Sequence, residues 1–166
     1  MLLLHNSGLV LLNPYIPKLF GHCGLVQNNV FVNPQAQERA VLLLHYVATG
    51  QVHAEEQHLV LNKVLCGVPI NASIDSNDFQ IAEQEKELVD GLLNAAIAHW
   101  PAIGSSSVDG FRGNWLVREG VLQEEEDRLG LTVEKRAYDL LLDQSPYSFS
   151  IIRYAWMEKI LYVNWR

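Results

Sequence analysis

Hydrophobic positions change their period along this chain. Through the first hundred residues they recur at three- and four-residue intervals, the spacing of helix faces; after about residue 120 they alternate, as in half-buried strands. Residues 8–12, GLVLL, are a short apolar run stopped by Asn13-Pro14 and predict a buried strand. Residues 15–26 read as a helical stretch punctuated by Gly21 and Gly24. A helix is then predicted with Asn33 as its cap and Pro34 in the first turn, where the missing N–H costs nothing. Ala40, Leu43, Leu44 and Val47 form its apolar face, and Gly50 closes it.

A second helix is expected over residues 55–66, with Leu61, Val64, Leu65 and Val68 on one face and Gly67 and Pro69 as its stop. A third is expected from about residue 78 to 99. Ile81, Leu88, Leu92, Ala95 and Ala96 form its buried stripe, Glu83, Glu85, Lys86 and Glu87 face water, and Trp100-Pro101 ends it. In the second half, Leu129, Leu131 and Val133 alternate with Gly130, Thr132 and Glu134, and residues 121–124 pair with them as a hairpin around an acidic turn. A helical turn or two at 136–143 interrupts before Pro146. Ile152, Tyr154 and Trp156 then alternate, as do Leu161, Val163 and Trp165.

These elements predict an α+β fold: a helical first half packed on a mostly antiparallel sheet formed by the second half, which recruits the 8–12 strand. GSSS at 104–107 is too short a loop to force a division, so residues 1–166 read as one globular domain. A length of 166 residues and 49% hydrophobic content suffice for a well-filled core. The net charge of −7 argues against a nucleic-acid partner, because phosphate contacts need clustered Lys and Arg and only Lys135 and Arg136 are adjacent here. The apolar start lacks a basic leader, is cut by Pro14, and falls short of the roughly 20 residues that cross a bilayer. No membrane insertion is expected. Two cysteines make no disulfide framework and suit a reducing compartment, Cys66 reading as a small core residue.

Candidate chemistry is thin. HAEEQH at 53–58 spaces its histidines five apart and puts Ala54 where a zinc protease needs glutamate. His58, Asn62 and Cys66 share a helix face but supply too few ligands for zinc. His22-Cys23 are neighbours in sequence, and an activating base normally comes from elsewhere in the fold. Ser105 to Ser107 sit in no nucleophile elbow, and the acidic residues Glu124 to Asp127 read as a solvated hairpin tip. No catalytic, cofactor or metal site emerges.

The aromatic residues of the second half stand beside Arg112, Arg118 and Arg153, and Trp, Tyr and Arg are the types enriched at interface hot spots. Phe111 and Trp115, four apart, share one face if Asp109 caps a short helix, with Arg112 and Arg118 as charged rims. They either form a docking anchor or pack inward, pinning the helical half to the sheet. Tyr154 and Trp156 are the next candidates for partner binding.

Five segments occur in one order: NSGLVLLNPYIPKLF at 6–20, ERAVLLLHYVATG at 38–50, LVLNKVLCGVP at 59–69, HWPAIGSSSVDGFRGNWLVREG at 99–120 and VEKRAYDLLLDQSPYSFSIIRYAWM at 133–157. Together they resemble the tape measure protein family of contractile injection systems, phage-tail-like particles that drive a tube through a target envelope. The most specific parts are SVDGFR at 107–112, REG at 118–120 and RAYDLLLD at 136–143. Tyr154-Ala155-Trp156-Met157 departs from the family pattern, which has Leu-Pro ahead of the Trp-Met pair.

The resemblance implies a structural role in building the particle: setting tube length, occupying the lumen, or docking where tube growth starts. It implies partners among the spike, baseplate and inner-tube proteins, no cofactor and no catalytic residue. It also implies cytoplasmic assembly, and residence in the particle if incorporated. Other readings are an adaptor or chaperone for another tail protein, and a carried hydrolytic or thiol-dependent effector enzyme. In the family such a segment is the globular end of a much longer chain, and this sequence reads either as that end or as a stand-alone relative.

Overall fold

The computed structural model describes residues 1–165. Its sheet has five strands in the order β1-β4-β5-β7-β6: β1 (Leu2–Leu4), β4 (Gly120–Glu124), β5 (Arg128–Val133), β7 (Ile160–Asn164) and β6 (Ile151–Ile152). The predicted hairpin is present, with Leu122 opposite Leu131 and Gln123 opposite Gly130. Only β5 and β7 run parallel; the other pairs are antiparallel. Period 2 sends Leu122, Leu129, Leu131, Val133, Leu161, Val163 and Ile152 to one face, where all are buried.

The helices of the first half cover that face. They are α1 (Ile16–His22), α2 (Pro34–Thr49), α3 (Val60–Leu65) and α4 (Glu83–Ala98), with a small hairpin of β2 (Val26–Gln27) and β3 (Val30–Phe31) after α1. The chain is therefore α+β, helices first and a mostly antiparallel sheet second. Asn33 caps α2 as expected, its Oδ1 accepting from the Ala36 N–H at 2.7 Å, and Gly50 ends it at φ 74°, where a side chain is disfavoured.

Three local expectations are corrected. Residues 8–12 are not a strand. Ser7–Leu12 is a 3-10 turn buried at every position, and β1 takes the sheet edge instead. A fully apolar run carries no period to separate the two, and space decided: a Cβ on Gly8 would lie 1.7 Å from the Trp115 carbonyl oxygen.

The third helix starts at Glu83, later than expected, because residues 71–82 are held as a loop. Glu56 accepts from the Ile74 N–H at 3.2 Å and Ala54 accepts from Ser76 at 3.1 Å. Its buried positions are Val89, Leu92, Leu93 and Ala96, while Leu88 and Ala95 are half-buried. Glu85 faces inward, not water. Burial works to raise its pKa, but bonds from Arg39 and from the Ala82 N–H outweigh this and hold it below the ordinary value. The same carboxylate satisfies an orphan N–H of the helix start and ties α4 to α2.

Residues 153–158 do not continue β6 as a strand. They turn, directing Tyr154 and Trp156 to the helices. Tyr154 Oη donates to the Asn13 carbonyl at 3.0 Å and Trp156 Nε1 to the Leu65 carbonyl at 2.8 Å.

Candidate functional site

The segment linking the helical half to the sheet carries most of the predicted site residues. It comprises the short helix α5 (Val108–Phe111), a π-helical turn Arg112–Leu116, and β4. Ser107, not Asp109, caps α5: its Oγ accepts from the Gly110 N–H at 2.9 Å. Ser107 has the extended backbone a cap needs, and Asp109 already lies inside the first turn.

Phe111 is wholly buried and Trp115 is 4% exposed. Trp115 packs on Trp100 at 4.6 Å between centroids and on Tyr138 at 5.1 Å. Both side chains thus occupy the inward position of the two foreseen for them. Arg112 is also buried. Its Nε donates to the Val47 carbonyl at 3.0 Å and its Nη2 to the Tyr46 carbonyl at 3.2 Å, so its charge sits at the carbonyl end of α2. Tyr154 is buried. Trp156 keeps partial exposure and packs at tilted angles on Phe31, Tyr154 and Phe20, with 5.0, 5.5 and 6.0 Å between centroids.

Arg118 is no rim residue. It is fully buried, and its Nη1 lies 2.8 Å from Asp139 Oδ2. Nη1 also reaches the Glu134 carbonyl at 3.1 Å, and Nη2 the Asn114 carbonyl at 2.8 Å. Three rings surround the guanidinium: Trp165, Tyr138 and Trp115 at 5.0, 5.4 and 5.6 Å. Asp139 further accepts from Trp165 Nε1 at 2.9 Å and from the Arg136 N–H at 3.0 Å. Burial pushes its pKa up, yet these bonds and the Arg118 charge outweigh that and hold it below the ordinary 3.8. Two sequence segments, REG and RAYD, thereby meet in one knot. Their charges were visible in the sequence; the contact was not, because partner choice across 21 residues leaves no local periodicity.

The candidates for chemistry are dispersed. Burial, helped by Glu85 and opposed by Arg39, pushes the Cys23 thiol up to about 11, opposite to what a nucleophile needs. Cys66 is fully buried, and burial raises its thiol well above the ordinary value. Among the described residues no group of three or more His, Cys, Asp or Glu is arranged to hold a metal ion. No helix among them is long and apolar enough to cross a membrane.

Two concave surfaces stand out. One, of about 450 Å³, lies between the end of α3 and the sheet tip and includes Val68, Ile70, Leu129, Glu124 and Glu158. The other, of about 550 Å³, is lined by His5, His45, His58, Asp109, Arg112 and Val117. His5 and His45 were not grouped with His58 by the sequence, since the three come from separate elements.

The family model described as contractile injection system tape measure protein matches residues 1–165. No curated protein and no solved structure matches the chain.

Proposed function

The chain belongs to the contractile injection system tape measure protein family, and from that membership we propose that it is a compact assembly segment docking on spike, baseplate or inner-tube proteins where tube growth begins. The match across residues 1–165 carries the reading. A structural role related to the tape measure follows from the family; the docking step is our proposal, as are the single domain, assembly in the cytoplasm and the lack of a catalytic role.

Dimensions support docking over measuring by extension. A ruler works by length, and an α-helix gains about 1.5 Å per residue. The longest helices here, α2 and α4, have 16 residues each, and a folded chain of this size is about 40 Å across. Since Phe111, Arg112, Trp115 and Tyr154 are buried, we assign them to shaping the surface that docks, with Trp156 as the member of the five that reaches it.

Deleting the gene in cells that assemble the particle tests the reading. Electron microscopy should show fewer particles, altered lengths or detached baseplates; unchanged length, yield and baseplate attachment would sink it. Presence in purified mature particles separates an incorporated segment from an adaptor or chaperone that leaves.

A further inference from the structure

Of the six histidines, four gather where the sheet edge meets the helical half. His5 follows β1 directly, and its ring stands edge-on to that of His58, with 4.8 Å between centroids. His45 lines the same cleft. Its Nε2–H donates to the His53 carbonyl at 3.0 Å. Burial is the main cause lowering its pKa below 6.5; the bond to His53 opposes, and the neighbouring His58 and His53 add to the lowering.

Charged groups face this cluster from each packed element. Asp109 and Arg112 come from α5 and the π-turn, paired at 3.3 Å. Glu55, from the loop after α2, accepts from Gln57, and Glu56 is bound to Lys63 of α3. The turn Ser7–Leu12 brings no titratable side chain. Every carboxylate on the cleft side therefore already has a donor, and added protons there face a guanidinium. On its other side His5 lines a second hollow, with Glu119 and Glu134. Both are exposed and neither makes a side-chain hydrogen bond or a close ion pair among the described residues, though the Arg136 guanidinium already acts on Glu134.

We propose that His5 is a two-position, acid-operated catch between the sheet and the helical half. Neutral, its ring rests on His58 and forms one wall of the cleft. Protonated together with its neighbours, it is repelled by His58 and Arg112 and drawn to the carboxylate of Glu119, and to that of Glu134 in competition with Arg136. The 3-10 turn Glu56–Leu59 then loses its contact with the sheet edge. Both positions use rings and carboxylates already within the lining of two adjoining hollows, so only the side chain and the turn need move.

NMR and hydrogen exchange on the whole chain test this. At pH 7.5 the His5 and His58 ring protons should show a mutual NOE and the His58 amide, bonded to the Glu55 carbonyl at 2.9 Å, should be protected. At pH 5.5 the NOE should vanish and that protection, corrected for intrinsic exchange, should fall tenfold or more while β5 keeps its own. The exposed-site variant His5→Gln should remove the pH step. Glu119→Gln with Glu134→Gln should move its midpoint lower by half a pH unit or more. A persisting NOE at pH 5.5, an equal fall in His5→Gln, an unmoved midpoint in the double variant, or loss of β5 protection (general acid unfolding) would each overturn the proposal.

Discussion

Arg118 and Asp139 form an ion pair with the side chains 0% and 2% exposed, and it is the point where the connecting segment, the sheet and Trp165, just beyond β7, are tied together. Removing one partner of such a pair strands the other charge in a low dielectric, a loss of about 3–5 kcal/mol. Asp139→Ala and Arg118→Ala are each expected to lower unfolding free energy by that order at pH 7 in urea titrations. The double variant Arg118→Met with Asp139→Leu should lose less than the sum of the two single losses. Losses that add would show that the pair is not coupled.

The pH dependence has a definite sign. The folded pKa of Asp139 is depressed, so its contribution is fully present above the unfolded value near 3.8 and is lost as pH falls through the lower folded value. Acid titration of stability should therefore be shallower below pH 4 in Asp139→Asn than in the wild type. Parallel curves in that window would contradict the assignment.

Trp115 distinguishes core from docking surface. It is 4% exposed and packs on Trp100, Tyr138 and the Arg118 guanidinium. Trp115→Ala is expected to cost about 3–5 kcal/mol, as large core truncations do. An unchanged melting curve would return Trp115 to the surface role.

Two glycines should respond in opposite directions. Gly8 allows the Ser7–Leu12 turn to touch the π-turn, and a methyl there would meet the Trp115 backbone at 1.7 Å. Gly8→Ala is therefore expected to destabilise by several kcal/mol or to yield no folded protein. Gly91 stands inside α4, exposed, with nothing within 4 Å of an added Cβ. Gly91→Ala should stabilise by up to about 1 kcal/mol through helix propensity. Thermal melts of the pair check both signs, and a destabilised Gly91→Ala would point to a contact that the isolated chain does not make.

The sequence was most legible where one local signal had one outcome. Asn33, Pro34 and Gly50 bounded α2, and strict alternation defined the β4–β5 hairpin. It was least legible where tertiary partners chose. Ser7–Leu12 is apolar throughout, so nothing in it separated strand from turn. Glu85 looked solvent-facing until Arg39 supplied a partner from another helix. Tyr154 and Trp156 alternate like strand residues, but their polar atoms find acceptors at Asn13 and Leu65, which turns the backbone out of the sheet. For the candidate site, residue types were readable and neighbours were not: the arginines were seen as rims, whereas one caps a helix and the other centres a buried knot.

Arg112 offers the sharpest test between these two readings of an arginine. If it serves a charged rim, Arg112→Lys keeps the charge and should preserve both folding and partner capture. The structure gives it a different task, with Nε and Nη2 reaching two successive carbonyls, Val47 and Tyr46, at the end of α2. A lysine presents a single point of donation and cannot span both. Charged hydrogen bonds of this kind are worth about 1.5–3 kcal/mol, so Arg112→Lys should lower stability by about that amount in urea titrations. Gly50 supplies an internal check, because a Cβ there would sit 2.9 Å from Arg112 Nη1. Gly50→Ala should therefore cost more in the wild type than in the Arg112→Lys background, where the guanidinium is gone. Equal costs in both backgrounds would detach Arg112 from the end of α2 and restore the rim as its place.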